Sequence, residues 1–134
     1  MALQRLTPEG LFKPAAYTQV VVASGRRMVF VSGQVSMDAG GSLVAQGDFA
    51  GQARQVYANL RAALEGAGAT AADVTKLTTY VVGYRPELRS SLAAARATIF
   101  GATELPASTL VGIQALAEPG YLLEVEAIAV SDNA

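Results

Sequence analysis

Hydrophobic and polar positions follow a changing period along the chain, and each change of period marks a predicted element. β-Branched and aromatic residues dominate both arms of residues 17–35, and Gly25 lies between the arms, so this segment predicts a β-hairpin. A glycine-rich turn at residues 38–42 follows. We expect a short extended piece at residues 43–44 after that turn.

The apolar period becomes helical at Phe49. Apolar side chains recur at i, i+3, i+4 and i+7 over residues 49–67, and Asp48 stands at the N-cap position. A second helix is predicted to begin at Pro86, where the missing backbone N–H costs nothing, and to end at Gly101. The chain therefore carries two predicted helices with one strand-like segment between them.

Three later segments have the composition of strands. They are residues 73–83 between the helices, and then residues 107–116 and 121–130 at the end of the chain. The predicted order is β-β-β-α-β-α-β-β, with no change of composition that would divide residues 1–134 into two domains. The sequence thus predicts a single α+β domain in which two helices cover one face of a six-stranded mixed sheet.

The second face of this predicted sheet needs a cover of its own. Five apolar side chains would meet water if they pointed away from the helices: Leu110, Leu116, Leu122, Ile128 and Val130. A symmetric oligomer buries such a face between its subunits without any further element of the chain. We therefore expect the protein to self-associate through this face.

Composition narrows the chemistry that the chain can perform. Of its 134 residues, 51% are hydrophobic and 16% are charged, which is the balance of a folded domain rather than of a disordered chain. The chain has no cysteine and no histidine, which excludes a thiolate nucleophile, a Ser-His pair and a zinc site of Cys or His ligands. Proton transfer is left to Asp, Glu, Tyr, Lys or bound water.

Charge and hydropathy argue against two classes of partner. The net charge of −1 leaves no broad phosphate-binding surface, so no nucleic acid partner is expected. No apolar run approaches the roughly 20 residues of a membrane helix, and the first residues lack the apolar core of a secretion signal. We therefore expect a cytoplasmic protein that has no membrane partner.

Two carboxylates interrupt the last predicted strand. With a period of two, Glu124 and Glu126 share one face with apolar neighbours and lie about 7 Å apart along the strand. Burial of an unpaired carboxylate is costly, so each needs a partner or a raised pKa. One interpretation is a carboxylate that holds a proton or a water. The other is a structural carboxylate that pairs with arginine or with backbone amides.

Polar residues at strand ends are weaker candidates. Ser32 and Gly33 follow an apolar strand, where they either offer a hydroxyl and free amides or end the strand with a bulge. Tyr17 begins the first arm of the predicted hairpin, where core packing is the alternative. Ser108 and Thr109 open the penultimate strand, where hydroxyls bind an oxyanion or cap a turn.

These segments together resemble the reactive intermediate deaminase family (Rid or YjgF-type, also called endoribonuclease L-PSP-like). The resemblance covers nearly the whole chain, about residues 11–130, and its spacing around two helices makes it specific. It is carried by four stretches: Tyr17-Thr18-Gln19, Val31-Ser32-Gly33-Gln34, Leu105-Pro106-Ala107-Ser108-Thr109-Leu110-Val111 and Leu123-Glu124-Val125-Glu126-Ala127-Ile128-Ala129-Val130.

The resemblance implies a chorismate-mutase-like α+β fold and a homotrimer with ligand clefts between subunits. Well-understood members hydrolyse enamines and imines to ammonia and a 2-oxo acid without a metal or an organic cofactor. The resemblance implies that Glu124 is the catalytic carboxylate, which positions a water or transfers a proton. The ligand-binding residues that it implies are Tyr17, Ser32, Gly33, Ser108 and Thr109.

One position departs from the deaminating members of that family. They carry an arginine where this chain has Ser108, and the guanidinium grips the substrate carboxylate as a bidentate fork. Serine supplies neither the charge nor the reach. The chain therefore resembles the arginine-lacking branches, and we do not expect it to be a standard 2-imino-acid deaminase.

Three functions remain open at this point. The first is a cofactor-free enzyme that hydrolyses or tautomerises a small imine, enamine or related C–N compound, which need not carry a carboxylate. The second is a non-catalytic trimer that binds a small molecule in the same cleft. The third, a ribonuclease or translation inhibitor, is favoured least, because the net charge of −1 and the lack of histidine offer neither an RNA surface nor the usual acid-base pair.

Overall fold

The structure, a computed structural model, describes residues 2–101 and 104–132. Two helices and six strands make up its regular elements, with short 3-10 turns at Ala71–Asp73 and Pro86–Leu88. In chain order the elements are β1 (Ala2–Leu6), β2 (Val20–Ser24), β3 (Arg27–Gln34), α1 (Phe49–Gly66), β4 (Val74–Val82), α2 (Arg89–Arg96), β5 (Ala107–Ile113) and β6 (Leu123–Ser131).

Four strands form the main sheet, in the spatial order β3-β6-β4-β5. The two pairings that involve β6 are antiparallel and the β4-β5 pairing is parallel, so the sheet is mixed. The parallel pairing is possible because α2 lies between β4 and β5 in the chain and provides the crossover. The predicted α+β class with a mixed sheet is confirmed.

Both helices pack on one face of this sheet. Leu123, Val125, Ala127 and Ala129 of β6 are each at most 3% exposed and contribute to the core. Their alternate neighbours Glu124, Glu126 and Ile128 are only half-buried. The predicted period of two in this strand therefore separates a helix-covered face from a helix-free face. From α1, the buried apolar side chains are Ala53, Val56, Tyr57, Leu60 and Leu64.

The predicted hairpin over residues 17–35 is wrong. Strand β2 pairs with β1 in a separate two-stranded sheet, and β3 pairs with β6 instead. The reason is burial: in the β3-β6 register Val31 lies opposite Ala127, and both side chains reach the core. Most of β2 is exposed, so it contributes little to the core wherever it pairs. Local strand chemistry predicted each strand but not its partner.

The structure has six strands in the predicted order relative to the two helices. One of the three strands before α1, however, is formed by a different segment from the one predicted. Residues 43–44 form no strand, and Leu43 makes only an isolated bridge with Met37. Ser36 holds this segment with two hydrogen bonds, because its hydroxyl donates to the Val44 carbonyl at 2.7 Å and its carbonyl accepts from the Val44 amide at 2.9 Å. Strand β1 takes the place of the predicted strand at residues 43–44 in the count of three strands before α1. The six strands form two sheets, of four and two strands, and not the single sheet that was predicted.

The helix boundaries follow the capping chemistry of the sequence. Asp48 is the N-cap of α1, and its carboxylate accepts a hydrogen bond from the Gly51 amide at 3.0 Å. Pro86 opens a 3-10 turn from which α2 continues, but α2 ends at Arg96 and not at Gly101 as predicted. No helix in the described part of the chain is long and apolar enough to span a membrane.

Candidate functional site

Glu124 and Gly33 meet on the helix-free face of the main sheet. The β3-β6 register shifts between Val31 and Gln34, and this irregularity brings Gly33 against Glu124. A side chain at position 33 would overlap the carboxyl group of Glu124, so glycine is required for this approach. The bulge that the sequence offered as one interpretation of the Ser-Gly-Gln segment is therefore present, and it makes room for a carboxylate.

Glu124 is half-buried on this face. Within the described residues its carboxylate makes no hydrogen bond and no ion pair. A carboxylate in such a position keeps its acceptor oxygens for a water, a ligand or a group from a second copy of the chain. No group in the described part of the chain therefore occupies the acceptor oxygens of Glu124.

Glu126 differs from Glu124 because it has a partner. The Tyr80 hydroxyl donates to its carboxylate at 2.6 Å, and this hydrogen bond raises the pKa of Tyr80 above its usual value. The bond connects β4 to β6, in which Thr78 lies opposite Glu126 and Tyr80 opposite Glu124. Glu126 therefore joins two strands, through a tyrosine hydroxyl and not through the arginine or backbone amides that the structural interpretation named.

A cavity of about 440 Å³ opens on the other side of the sheet, beside the edge strand β5. Apolar and aromatic side chains form most of its wall. It is lined by Ala16, Tyr17, Tyr84, Arg89, Leu92, Ala93, Arg96, Ser108 and Leu110. Its volume lies in the range of roughly 300–1,000 Å³ that is typical of small-molecule pockets.

Hydrogen bonds made by Thr18 position the adjacent Tyr17 beside Ser108. The neighbouring Thr18 amide donates to the Pro106 carbonyl at 3.0 Å, and the Thr18 hydroxyl donates to the Leu105 carbonyl at 2.6 Å. Thr18 also forms a parallel bridge with Ala107. The segment before β2 therefore runs along the free edge of β5 and closes one side of the cavity.

The candidate residues from the sequence consequently fall into two groups. Tyr17 and Ser108 line the cavity on the helix-covered side. Gly33 and Glu124 meet on the helix-free face, and Ser32 is exposed at the end of β3. Side chains on opposite faces of a sheet do not reach one cleft, so a single chain does not bring Ser108 and Glu124 together.

Thr109 lies outside the cavity for the same reason. It follows Ser108 in β5, and its hydroxyl accepts a hydrogen bond from the Lys76 ammonium at 2.6 Å on the helix-free side. The pairing of Thr109 with Thr78, which itself lies opposite Glu126, places it on that face. The structure therefore assigns adjacent candidates to different surroundings.

Sequence reasoning missed the two arginines of the cavity. Arg89 and Arg96 both line it from α2, with Ala93 between them. Positions i, i+4 and i+7 share one face of a helix, so the spacing 89, 93 and 96 was the signal that could have found them.

Arg96 also lies close to a buried tyrosine. Burial raises the pKa of Tyr57 to about 12, and the positive charge of Arg96 and a hydrogen bond with Thr79 partly oppose that rise. A smaller cavity that continues from the first is lined by Tyr57, Thr79, Arg96 and Ser108 among others. The guanidinium therefore stands between a neutral phenol and the open cavity.

No metal-binding arrangement is present in residues 2–101 and 104–132, where no three acidic side chains come together. The cavity and the Glu124 region together offer one half-buried carboxylate without a partner among the described residues, two guanidinium groups and several hydroxyls. Such groups bind anions, orient water and transfer protons.

Comparison with known proteins gives consistent matches over almost the whole chain. The family model described as Endoribonuclease L-PSP matches residues 11–131. A Rid-family protein of unknown function from Yersinia pestis, YyfB, superposes with a TM-score of 0.90 at 36% identity, covering 97% of this chain and 99% of that one.

Two relatives of known sequence have similar identities. A RutC family protein of Pyrococcus horikoshii is 32% identical over 116 residues, which is 87% of each chain. The DfrA protein of Myxococcus xanthus is 33% identical over 115 residues, covering 86% of this chain and 85% of that protein. The family match over residues 11–131 thus extends over both the cavity and the Glu124 region.

Proposed function

Because the chain belongs to the endoribonuclease L-PSP family, of Rid or YjgF type, we propose that it hydrolyses or tautomerises a small reactive imine, enamine or related C–N metabolite without a cofactor. The observation that carries this proposal is Glu124, a half-buried carboxylate that lies against Gly33 and has no partner among the described residues. The proposed location is the cytoplasm, as the sequence predicts.

An imine is already electrophilic, so the protein has little chemistry to supply. Glu124 accepts a proton from water while the water oxygen bonds to the carbon of the C=N group. Glu124 returns this proton to nitrogen, which gives a carbinolamine. The hydroxyl proton of the carbinolamine then moves to nitrogen through the same carboxylate, the C–N bond breaks, and ammonia leaves as the carbonyl forms. For a tautomerisation, the same carboxylate moves one proton between carbon and nitrogen. Both reactions need only a positioned carboxylate and a cleft.

The cleft is proposed to lie between subunits of a homotrimer. Tyr17 and Ser108 lie on one side of the sheet and Glu124 on the other, so a single chain offers two half-sites. Apposition of the cavity of one copy with the helix-free face of the next would complete the site. That face also exposes Met28 by 63% and Phe30 by 69%, which favours burial between subunits.

Ser108 separates this function from 2-imino-acid deamination. A serine in the cavity gives a hydroxyl but no charge, and the strand position that would present a guanidinium in deaminating relatives is neutral here. We therefore propose a substrate other than the small amino-acid-derived imines. Assignment to an arginine-lacking branch of the family is part of this proposal.

A non-catalytic binding trimer is the second candidate. The cavity alone favours it, because its walls hold no carboxylate and are mostly apolar. Ribonuclease activity has less support, because the net charge of −1 provides no broad basic surface for RNA. Both alternatives predict that the protein releases no ammonia from any imine.

The paired variants Glu124→Gln and Glu126→Gln test the catalytic proposal. Imines that are bulky or that carry no carboxylate are generated in place by an amino-acid oxidase or a flavin amine oxidase, and ammonia release is followed with wild type and both variants. We expect Glu124→Gln to abolish turnover while leaving the trimer and its melting temperature nearly unchanged. Glu126→Gln should instead lower stability, because it weakens the bond with Tyr80.

Two results would contradict this proposal. Full activity of Glu124→Gln on a confirmed substrate would exclude the carboxylate mechanism. Dissociation or unfolding of Glu124→Gln would make Glu124 a structural residue and would favour the binding trimer. Glu65→Gln, an exposed substitution on α1, is the control for the loss of one negative charge.

A further inference from the structure

The cavity beside Ser108 contains two cationic side chains for which the proposed reaction gives no role. Arg89 and Arg96 line it from the two ends of α2, about two turns apart, and Ala93 between them leaves the space in front of them open. Arg96 is half-buried, whereas Arg89 is exposed. One guanidinium therefore belongs to the cavity wall and the other to its rim.

Neither arginine is neutralised by the chain itself. Within the described residues no carboxylate lies within ion-pair distance of Arg89 or Arg96, and no Asp or Glu lines the cavity. A charge that is partly withdrawn from water without a partner costs free energy. That cost is recovered when an anion enters the cavity and accepts hydrogen bonds from the guanidinium.

We propose that Arg96, with Arg89 at the rim, binds the anionic group of the ligand, and that this ligand is a carboxylate with an apolar or aromatic body. The inference rests on the proposed function, since it names the substrate class of the same cavity. It assigns to α2 the anion-binding role that Ser108 on β5 does not fill. The planar fork of an arginine matches the two oxygens of a carboxylate.

The remaining wall defines the rest of the ligand. Leu92, Ala93 and Leu110 are apolar, and Tyr17 and Tyr84 present aromatic surface with hydroxyl groups. Most of the cavity of about 440 Å³ is therefore suited to an apolar group. A compound as small as 2-aminoacrylate would leave most of this space empty. A larger, aromatic or branched carboxylate would fill it.

The change of element also changes where the anion sits. Ser108 and Arg96 line the same cavity, but one belongs to the sheet and the other to the helix that covers it. A carboxylate held from α2 is thus displaced from the place where a strand arginine would hold it. The atoms of a small imino acid would be displaced with it, which gives a second reason for poor activity on such compounds.

Binding of phenylacetate and of its neutral isostere phenylacetamide tests the inference by calorimetry at low salt and pH 7.5. We expect wild type to bind phenylacetate at least tenfold more tightly than phenylacetamide. Arg96→Gln should lose at least tenfold in phenylacetate affinity with little change for the amide. Arg54→Gln, an exposed arginine of α1 outside the cavity, is the matched control and should behave as wild type.

Three results would overturn the inference. The first is that wild type does not bind phenylacetate, and the second is that it binds the acid and the amide with equal affinity. The third is a fall in the oligomeric mass of Arg96→Gln, which would show that Arg96 pairs between subunits. Should Arg96→Gln not fold, Arg96→Lys keeps the charge and removes the fork. That variant should then weaken phenylacetate binding several-fold, and unchanged affinity would refute the proposal.

The two proposals fail separately. A protein that binds phenylacetate through Arg96 but turns over no imine would retain this inference and lose the catalytic one. A protein that turns over neutral imines and ignores carboxylates would do the reverse.

Discussion

Gly33 and Glu124 are in contact across two neighbouring strands, and the carboxyl group of the glutamate occupies the space of an absent side chain. The contact depends on the irregular register of β3 against β6, which brings a glycine to this point. It holds a carboxylate half-buried without giving it a partner. Position 33 therefore controls where the proposed catalytic group can lie.

Replacement of Gly33 by alanine should displace the Glu124 side chain. The new methyl group overlaps carboxyl and methylene atoms of Glu124, which must rotate away. In a double-mutant cycle with Glu124→Ala, we expect a coupling free energy of at least about 0.5 kcal/mol from urea unfolding at fixed protomer concentration. Gly66→Ala, at a helix end with open space around it, is the control. Strict additivity would show that the two residues do not press on each other.

Phe30→Glu should dissociate the oligomer. Phe30 is 69% exposed in the single chain and lies opposite Ile128 on the helix-free face. A charge placed there would be buried between subunits without a partner. Light scattering coupled to size-exclusion chromatography should give three times 13.8 kDa for wild type and 13.8 kDa for the variant. The control Ala62→Glu, on the exposed side of α1, should leave the oligomeric mass unchanged. If wild type is itself a monomer, the inter-subunit cleft is excluded.

Hydrolysis of 2-aminoacrylate-type imines should be slow. The missing guanidinium at position 108 removes charge-assisted bonds of about 1.5–3 kcal/mol, which is roughly ten- to more than hundredfold in rate. An assay in which a PLP-dependent dehydratase generates the imine would measure this against an arginine-bearing relative. Ser108→Arg should raise the rate if the rest of the cleft is competent. Equal rates for wild type and the relative would refute the prediction.

Stability should fall steeply above pH 10 through Tyr57. Burial raises the pKa of this phenol from 10 to about 12, so it ionises in the unfolded chain before it ionises in the folded one. The stabilisation is complete below pH 10 and is lost as the pH rises towards 12, by about 2–3 kcal/mol in total. Urea unfolding of wild type and Tyr57→Phe at pH 8–12 checks this. Parallel pH profiles for the two proteins would contradict it.

Local sequence determined the kinds of elements and much of their extent. Asp48 predicts the start of α1, and a period of two in β6 predicts that Glu124 and Glu126 share one face of the sheet. These predictions depend only on neighbours a few residues away, because a cap acts within one helical turn and side chains alternate within one strand. The same rule, applied to β5, would also have separated Ser108 from Thr109.

Only the tertiary structure decided which segments meet. Strand β2 pairs with β1 and not with β3, and the arginines of α2 share a cavity with Tyr17, which lies more than seventy positions earlier in the chain. Strand pairing and cavity formation depend on which distant surfaces bury the most apolar area together. A local sequence pattern does not indicate which distant segment a strand or helix will pack against. The sequence therefore predicted that Glu124 is unusual, whereas the fold decided that Gly33 leaves room for it and that Arg96 lies near Ser108.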